Sequence, residues 1–102
     1  MKVLFSPQVE NELVDLLKIL VSEQYLGSYD SAYGYVTNLV RAIESTIHYK
    51  QRHWSAVYHP ELQYVVYRKS HHTTWYVFFR QKSIHGESFY TVEHITNNHR
   101  FH

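Results

Sequence analysis

The last third of the chain holds the side chains best suited to acid–base chemistry on a phosphate. His94 and His99 lie in or just after the last strand-like segment, and Arg80 lies in the segment before it. Histidine can donate or accept a proton near neutral pH, and the planar fork of arginine binds phosphate oxygens. Cleavage of a phosphodiester by acid–base catalysis needs a base, an acid and a cation, so we predict Arg80, His94 and His99 as catalytic groups.

A second set of residues is predicted to bind a substrate rather than to react with it: Arg68, Lys69, Lys82, Arg100 and Trp54. Neighbouring residues of a strand point to opposite faces, so at most one of Arg68 and Lys69 can face a shared site. Trp54 and Tyr58 lie in a predicted loop, where aromatic rings are free to stack on bases or to contact a protein partner.

Each predicted site residue also has a structural interpretation. His94 alternates with Val92 and Tyr90, a pattern equally typical of a half-buried histidine with its own hydrogen-bond partner. His99 and Arg100 lie near the end of the sequence, a position equally typical of a mobile terminus without a functional role. Arg80 is as well suited to facing solvent or a protein partner as to catalysis.

The pair His71-His72 invites a metal-site interpretation, but adjacent side chains of a strand diverge and no acidic residue is near in sequence. His94 and His99 lack the i, i+4 spacing of helical zinc ligands. We therefore predict no metal and no cofactor.

The elements that must position these residues form one α+β domain over residues 1–102. A strand at 3–5 is followed by a helix that begins at Ser6-Pro7 and ends before Gly27. A second helix begins at 28–31, with Asp30 or Ser31 as its cap, and Gly34 inside it is a candidate for close helix packing. The segment 50–60 reads as a loop, and strands are predicted at 62–69, 73–82 and 88–96, joined by turns at 70–72 and 83–87.

This order predicts a helical hairpin packed on one face of an antiparallel three-stranded meander, with the first strand beside one of the last three. Hydrophobic residues make up 44% of the chain and charged residues 19%, which suits a folded core. The absence of cysteine fits a cytoplasmic location, and we expect no signal peptide, no membrane contact and, with a net charge of +1, only a weak overall attraction to polyanions.

The element order and its landmarks resemble the RelE/ParE superfamily of plasmid-stabilisation toxins. The resemblance is carried by Val3-Leu4-Phe5-Ser6-Pro7 with the following Glu12-Leu13, by Gly27-Ser28 with Ala32, and by the strands Tyr64–Tyr67, Trp75–Arg80 and Tyr90–Ile95. It covers nearly the whole chain. It implies a type II toxin–antitoxin function, in which a cognate antitoxin wraps over the toxin.

One branch of that superfamily cleaves ribosome-bound mRNA without a metal, using basic residues of the late strands and often a Tyr or His near the C-terminus. Another branch inhibits DNA gyrase. This chain has Tyr76 where the nuclease pattern has an arginine, and it ends in His94 to Arg100 where that pattern has a Gly–basic–Arg cluster. The resemblance thus implies an mRNA interferase, with a gyrase inhibitor or an inactive antitoxin-binding scaffold as the alternatives.

Overall fold

The computed structural model describes residues 1–22, 28–55 and 59–101, and within them two helices pack against one five-stranded sheet. In chain order the elements are β1 (Lys2–Phe5), α1 (Pro7–Ser22), α2 (Tyr29–Thr46), β2 (His53–Ser55), β3 (His59–Arg68), β4 (Thr74–Ile84) and β5 (Glu87–Asn97), followed by a short 3-10 helix (Asn98–Phe101). The predicted α+β class and the order of the helices and long strands are confirmed.

Helix α1 begins where β1 leaves the sheet. The backbone N–H of Ser6 donates to the carbonyl oxygen of Val92 on β5 at 2.9 Å, which continues the parallel pairing of β1 with β5. The Ser6 hydroxyl accepts from the N–H of Val9 at 3.2 Å, as the cap of a helix with proline in its first turn should. The predicted start is confirmed, and it fixes the first turns of α1 beside β5.

Helix α2 begins one residue after its cap, Ser28. The Ser28 hydroxyl accepts from the N–H of Ser31 at 3.1 Å, and Ser28 itself is extended. The predicted caps Asp30 and Ser31 were wrong because both already lie inside the first turn, where Asp30 faces the positive end of the helix dipole. Gly27, the predicted stop of the first helix, lies outside the described residues.

The strand order of the sheet is β1-β5-β4-β3-β2. Strand β1 lies beside β5, one of the last three strands as predicted, and is parallel to it, and β3, β4 and β5 form the predicted antiparallel meander. The prediction of a loop over 50–60 was wrong, because His53–Ser55 pairs with β3 as the short edge strand β2. Trp54 is therefore a strand residue, whereas Tyr58 lies outside the described residues.

The hairpin between β4 and β5 turns on two residues, His85 and Gly86, rather than on the predicted segment 83–87. Both have positive φ, 50° and 81°, and strand pairing continues to Ile84 opposite Glu87. Two left-handed residues match the twist of a tight hairpin, so the strands extend further than a loop-length estimate suggests.

The core lies between the helices and one face of the sheet. Val9 and Leu16 of α1 and Leu39 and Ile43 of α2 pack against residues of the sheet. The sheet contributes Val65, Tyr67, Trp75, Val77, Phe79, Tyr90, Val92 and Ile95. No helix in the described part of the chain combines the length and the apolar character needed to cross a membrane.

Candidate functional site

A basic groove lies at the end of the sheet farthest from the β3–β4 turn. Its base is a row across three strands in which Trp54 of β2 is opposite Gln63 of β3, and Gln63 is opposite Phe79 of β4. Phe79 belongs to the core beneath the helices, so this row lies on the helix side of the sheet. The groove has a volume of about 550 Å³, within the roughly 300–1,000 Å³ typical of ligand sites.

The groove carries more positive than negative charge. Among its described lining residues are three cations, Arg52, Arg80 and Lys82, and a single carboxylate, Glu61. Trp54 forms part of the wall with 67% of its surface exposed. Cations placed beside an open aromatic ring are the groups that bind the phosphates and bases of unpaired nucleic acid.

Arg52 is held in place by neutral groups. Its guanidinium donates to the side-chain oxygen of Gln81 and, at 3.3 Å, to the hydroxyl of Tyr90. It also lies 5.4 Å above the ring of Phe79 and 5.5 Å from that of Tyr90, within the range of cation–π attraction. These contacts orient the guanidinium and leave its charge available to an anion in the groove.

Arg80 and Glu61 form an ion pair at the opening of the groove. Nη2 of Arg80 lies 3.4 Å from Oε2 of Glu61, and the two side chains are 45% and 79% exposed. Such an exposed pair contributes little to stability because water and salt screen it. It does place a carboxylate next to a guanidinium in the groove that Lys82 also lines.

His94 lies outside this groove. It is opposite Phe78 in a second row, His53–Tyr64–Phe78–His94, whose positions on β3 and β4 alternate with the core residues. Its Nδ1 is 2.7 Å from Oε2 of Glu12 on α1, and the two side chains are 24% and 17% exposed. The alternative of a half-buried histidine with its own partner matches this geometry.

His99 lies at the other end of the sheet. Its Nε2 is 3.2 Å from the hydroxyl of Thr73, in the β3–β4 turn. Roughly 23 Å of extended chain separates Thr73 from Arg80 along β4. The predicted convergence of Arg80, His94 and His99 on one site is therefore not found, since the last strand carries its histidines away from the groove.

The predicted binding residues divide in the same way. Trp54 and Lys82 join Arg80 in the groove. Arg68 is exposed at the far end of β3, opposite Thr74, and the ammonium of Lys69 lies 5.1 Å from the ring of Tyr35 on α2, so the two do diverge. The side chain of Arg100 lies outside the described residues.

No family model, curated protein or solved structure matches this chain. The resemblance to the RelE/ParE superfamily thus remains a prediction that rests on sequence pattern.

Two groove residues, Arg52 and Glu61, were not among the predicted site residues. Arg52 comes just before β2 and Glu61 lies near the start of β3, and only the pairing of β2 with β3 and of β3 with β4 brings them to Arg80 and Gln81. The nearest sequence signal was the run of basic and aromatic residues Arg52-His53-Trp54, a composition typical of surfaces on which bases stack.

Within the described ranges, no three His, Cys, Asp or Glu side chains lie close enough together to hold a metal ion. The chemistry available to the groove residues themselves is proton transfer by Glu61 and Lys82 and charge stabilisation by Arg52 and Arg80.

Proposed function

We propose that this protein is the toxin of a type II toxin–antitoxin pair and that it cleaves mRNA, with RNA bound in the basic groove. The observation that carries the proposal is the set Arg52, Glu61, Arg80 and Lys82 on one groove beside an exposed tryptophan. The sequence resemblance supplies the biological setting, in which cleavage occurs on the ribosome in the cytoplasm and a cognate antitoxin neutralises the toxin.

The groove residues can divide the reaction among them. Glu61 accepts the proton of a ribose 2′-hydroxyl, whose oxygen then forms a bond to phosphorus. The bond from phosphorus to the 5′ oxygen breaks, and that oxygen takes a proton from Lys82. Arg80 and Arg52 stabilise the added negative charge on the phosphate oxygens, and the products are a 2′,3′-cyclic phosphate and a 5′-hydroxyl.

The direct test is induced expression in a bacterial host, alone and with the adjacent open reading frame, followed by primer extension on host mRNA. We expect growth arrest with new mRNA ends, relieved by the partner protein. Arg80→Ala and Glu61→Gln should each lower the rate of mRNA cleavage about 100-fold or more, which is the usual effect of losing a charge-stabilising or proton-transfer group. Arrest without new ends would rule cleavage out.

The matched control is Arg41→Ala. Arg41 is an exposed arginine on α2, so its loss changes the net charge as Arg80→Ala does without touching the groove. This variant should arrest growth and cleave mRNA as the original chain does. Circular dichroism spectra of the three purified variants show whether each remains folded.

The second candidate is a non-enzymatic inhibitor of DNA gyrase. It is favoured by the position of His94 and His99, the strongest acid–base groups by residue type, outside the groove. A supercoiling assay with purified gyrase separates the two candidates, since a cleaving toxin leaves supercoiling unchanged. Normal growth in the absence of the partner would instead favour a scaffold that only binds its antitoxin.

A further inference from the structure

We infer that the groove holds an unpaired nucleotide of single-stranded RNA, with its base stacked on Trp54 and its phosphate bound by Arg52. This inference deepens the proposed function and rests on it for the choice of RNA over other anions. Arg52 and Trp54, near one edge of the sheet, would then select unpaired over paired nucleotides.

Trp54 has the exposure of a contact residue rather than of a packing residue. Its side chain is 67% exposed on the edge strand β2, whereas the other tryptophan, Trp75, is 3% exposed and donates its indole N–H to the hydroxyl of Tyr35 at 2.9 Å. An exposed indole beside cations offers a stacking surface to a base, because every base has a π-face and stacking is tolerant of sequence.

Arg52 is pre-organised for one phosphate. Gln81 and Tyr90 fix its guanidinium, and the rings of Phe79 and Tyr90 lie against it, so little side-chain freedom remains to be lost when an anion binds. The hydrogen bonds of Arg52 go to neutral groups, whereas Arg80 pairs with the carboxylate of Glu61. These contacts hold the guanidinium of Arg52 without neutralising its charge.

Arg52 and Trp54 can contact one ligand together. They are two positions apart in sequence, so their side chains leave the chain on the same side, and both line the groove. In a duplex both faces of each base are already stacked, so Trp54 selects for an unpaired base.

The test is a binding titration with a short RNA in which every 2′-hydroxyl is methylated, so that it binds but cannot be cleaved. Anisotropy of a label on the RNA gives the affinity. We expect the single strand to bind at least 10-fold more tightly than the same sequence in a duplex. Trp54→Ala and Arg52→Gln should each weaken binding about 10-fold, and Trp54→Phe should weaken it less.

Two matched controls separate the groove from the general surface. Tyr49→Ala removes an aromatic ring that is also 67% exposed but does not line the groove, and Arg41→Gln removes an exposed arginine on α2. Neither should change the affinity by as much as 2-fold. Circular dichroism spectra of the variants report folding and should match the spectrum of the original chain.

Affinity that is unchanged in Trp54→Ala and Arg52→Gln, or equal for single strand and duplex, overturns the inference. Binding that depends on Trp54 in a protein that gives no new mRNA ends in cells supports the inference and overturns cleavage alone. Cleavage that continues in Trp54→Ala, with its affinity unchanged, overturns the inference and leaves cleavage standing.

Discussion

The carboxylate of Glu12 joins α1 to the edge of β5 through two contacts. It accepts from the backbone N–H of Ile95 at 3.1 Å and lies 2.7 Å from Nδ1 of His94. Glu12→Ala leaves a part-buried amide without its acceptor, so we expect it to lower the free energy of unfolding by about 1–3 kcal/mol. Urea unfolding at neutral pH measures this, and Glu44→Ala, at an exposed residue of α2, should change it by less than about 0.5 kcal/mol.

The same contact gives His94 a structural role that can be separated from catalysis. We expect His94→Ala to lower the free energy of unfolding while the folded protein keeps its rate of mRNA cleavage, because the imidazole lies outside the groove. Cleavage assays at matched concentrations of folded protein test this. Lost cleavage with unchanged stability would restore His94 as a catalytic residue.

Because the phenol of Tyr67 is buried, we expect the protein to lose stability at alkaline pH. Burial raises the pKa of its phenol above the ordinary value of 10.0, although the hydrogen bond with Thr46, 2.9 Å between the oxygens, acts in the opposite direction. The folded chain therefore retains this proton more tightly than the unfolded chain, and the free energy of unfolding must fall as the pH rises through and above 10.0. Urea midpoints on either side of that pH should show a smaller fall in Tyr67→Phe than in the original chain.

At the scale of secondary-structure elements, the chain offers a matched pair of glycine substitutions. A Cβ at Gly34 or at Gly86 would meet no atom within 4 Å, so backbone conformation alone decides each result. Gly34 lies inside α2, and Gly34→Ala should stabilise the fold by up to about 1 kcal/mol. Gly86 has a φ of 81°, and Gly86→Ala should destabilise it by about 1 kcal/mol. Thermal unfolding that shifts in the same direction for both would contradict this account.

The open space at Gly34 also shows that the prediction of close helix packing at this residue was wrong. No neighbouring helix approaches the position at which its Cβ would lie, so a glycine in this place reflects no steric need of the described residues. Sequence alone cannot make this distinction, because a glycine inside a helix looks the same whether or not another backbone lies against it.

The long elements were predictable because each has a local signal. Leucine and valine at helical spacing, the Ser6-Pro7 start and the alternating aromatic strands depend only on near neighbours in sequence. Strand β2 has no such signal, since three residues are too few to show an alternation, and its pairing shifts register between Trp54 and Ser55. A short edge strand forms because a neighbouring strand pairs with it, and the sequence alone does not show which strands will be neighbours.

For the whole molecule, the candidate site was only partly predictable. Trp54, Arg80 and Lys82 were identified by residue type, but grouping them with His94 and His99 required a register that the sequence does not contain. Strand β5 has an extra residue where pairing shifts between Phe78 and Phe79, and Glu12 binds His94 from a position far away in sequence. The register shift and the Glu12–His94 contact both depend on contacts between residues that are far apart in sequence.

The distribution of charge over the molecule gives the last prediction. The net charge is only +1, so long-range attraction to RNA is weak and binding should depend on the three groove cations. Releasing counterions from three contacted phosphates gives a slope of about −2 when the logarithm of affinity is plotted against that of salt concentration. Lys82→Gln should make this slope shallower by about 0.7. Arg41→Gln changes the net charge equally but lies outside the groove, so a slope altered to the same extent in both variants would mean that RNA binds over the general surface.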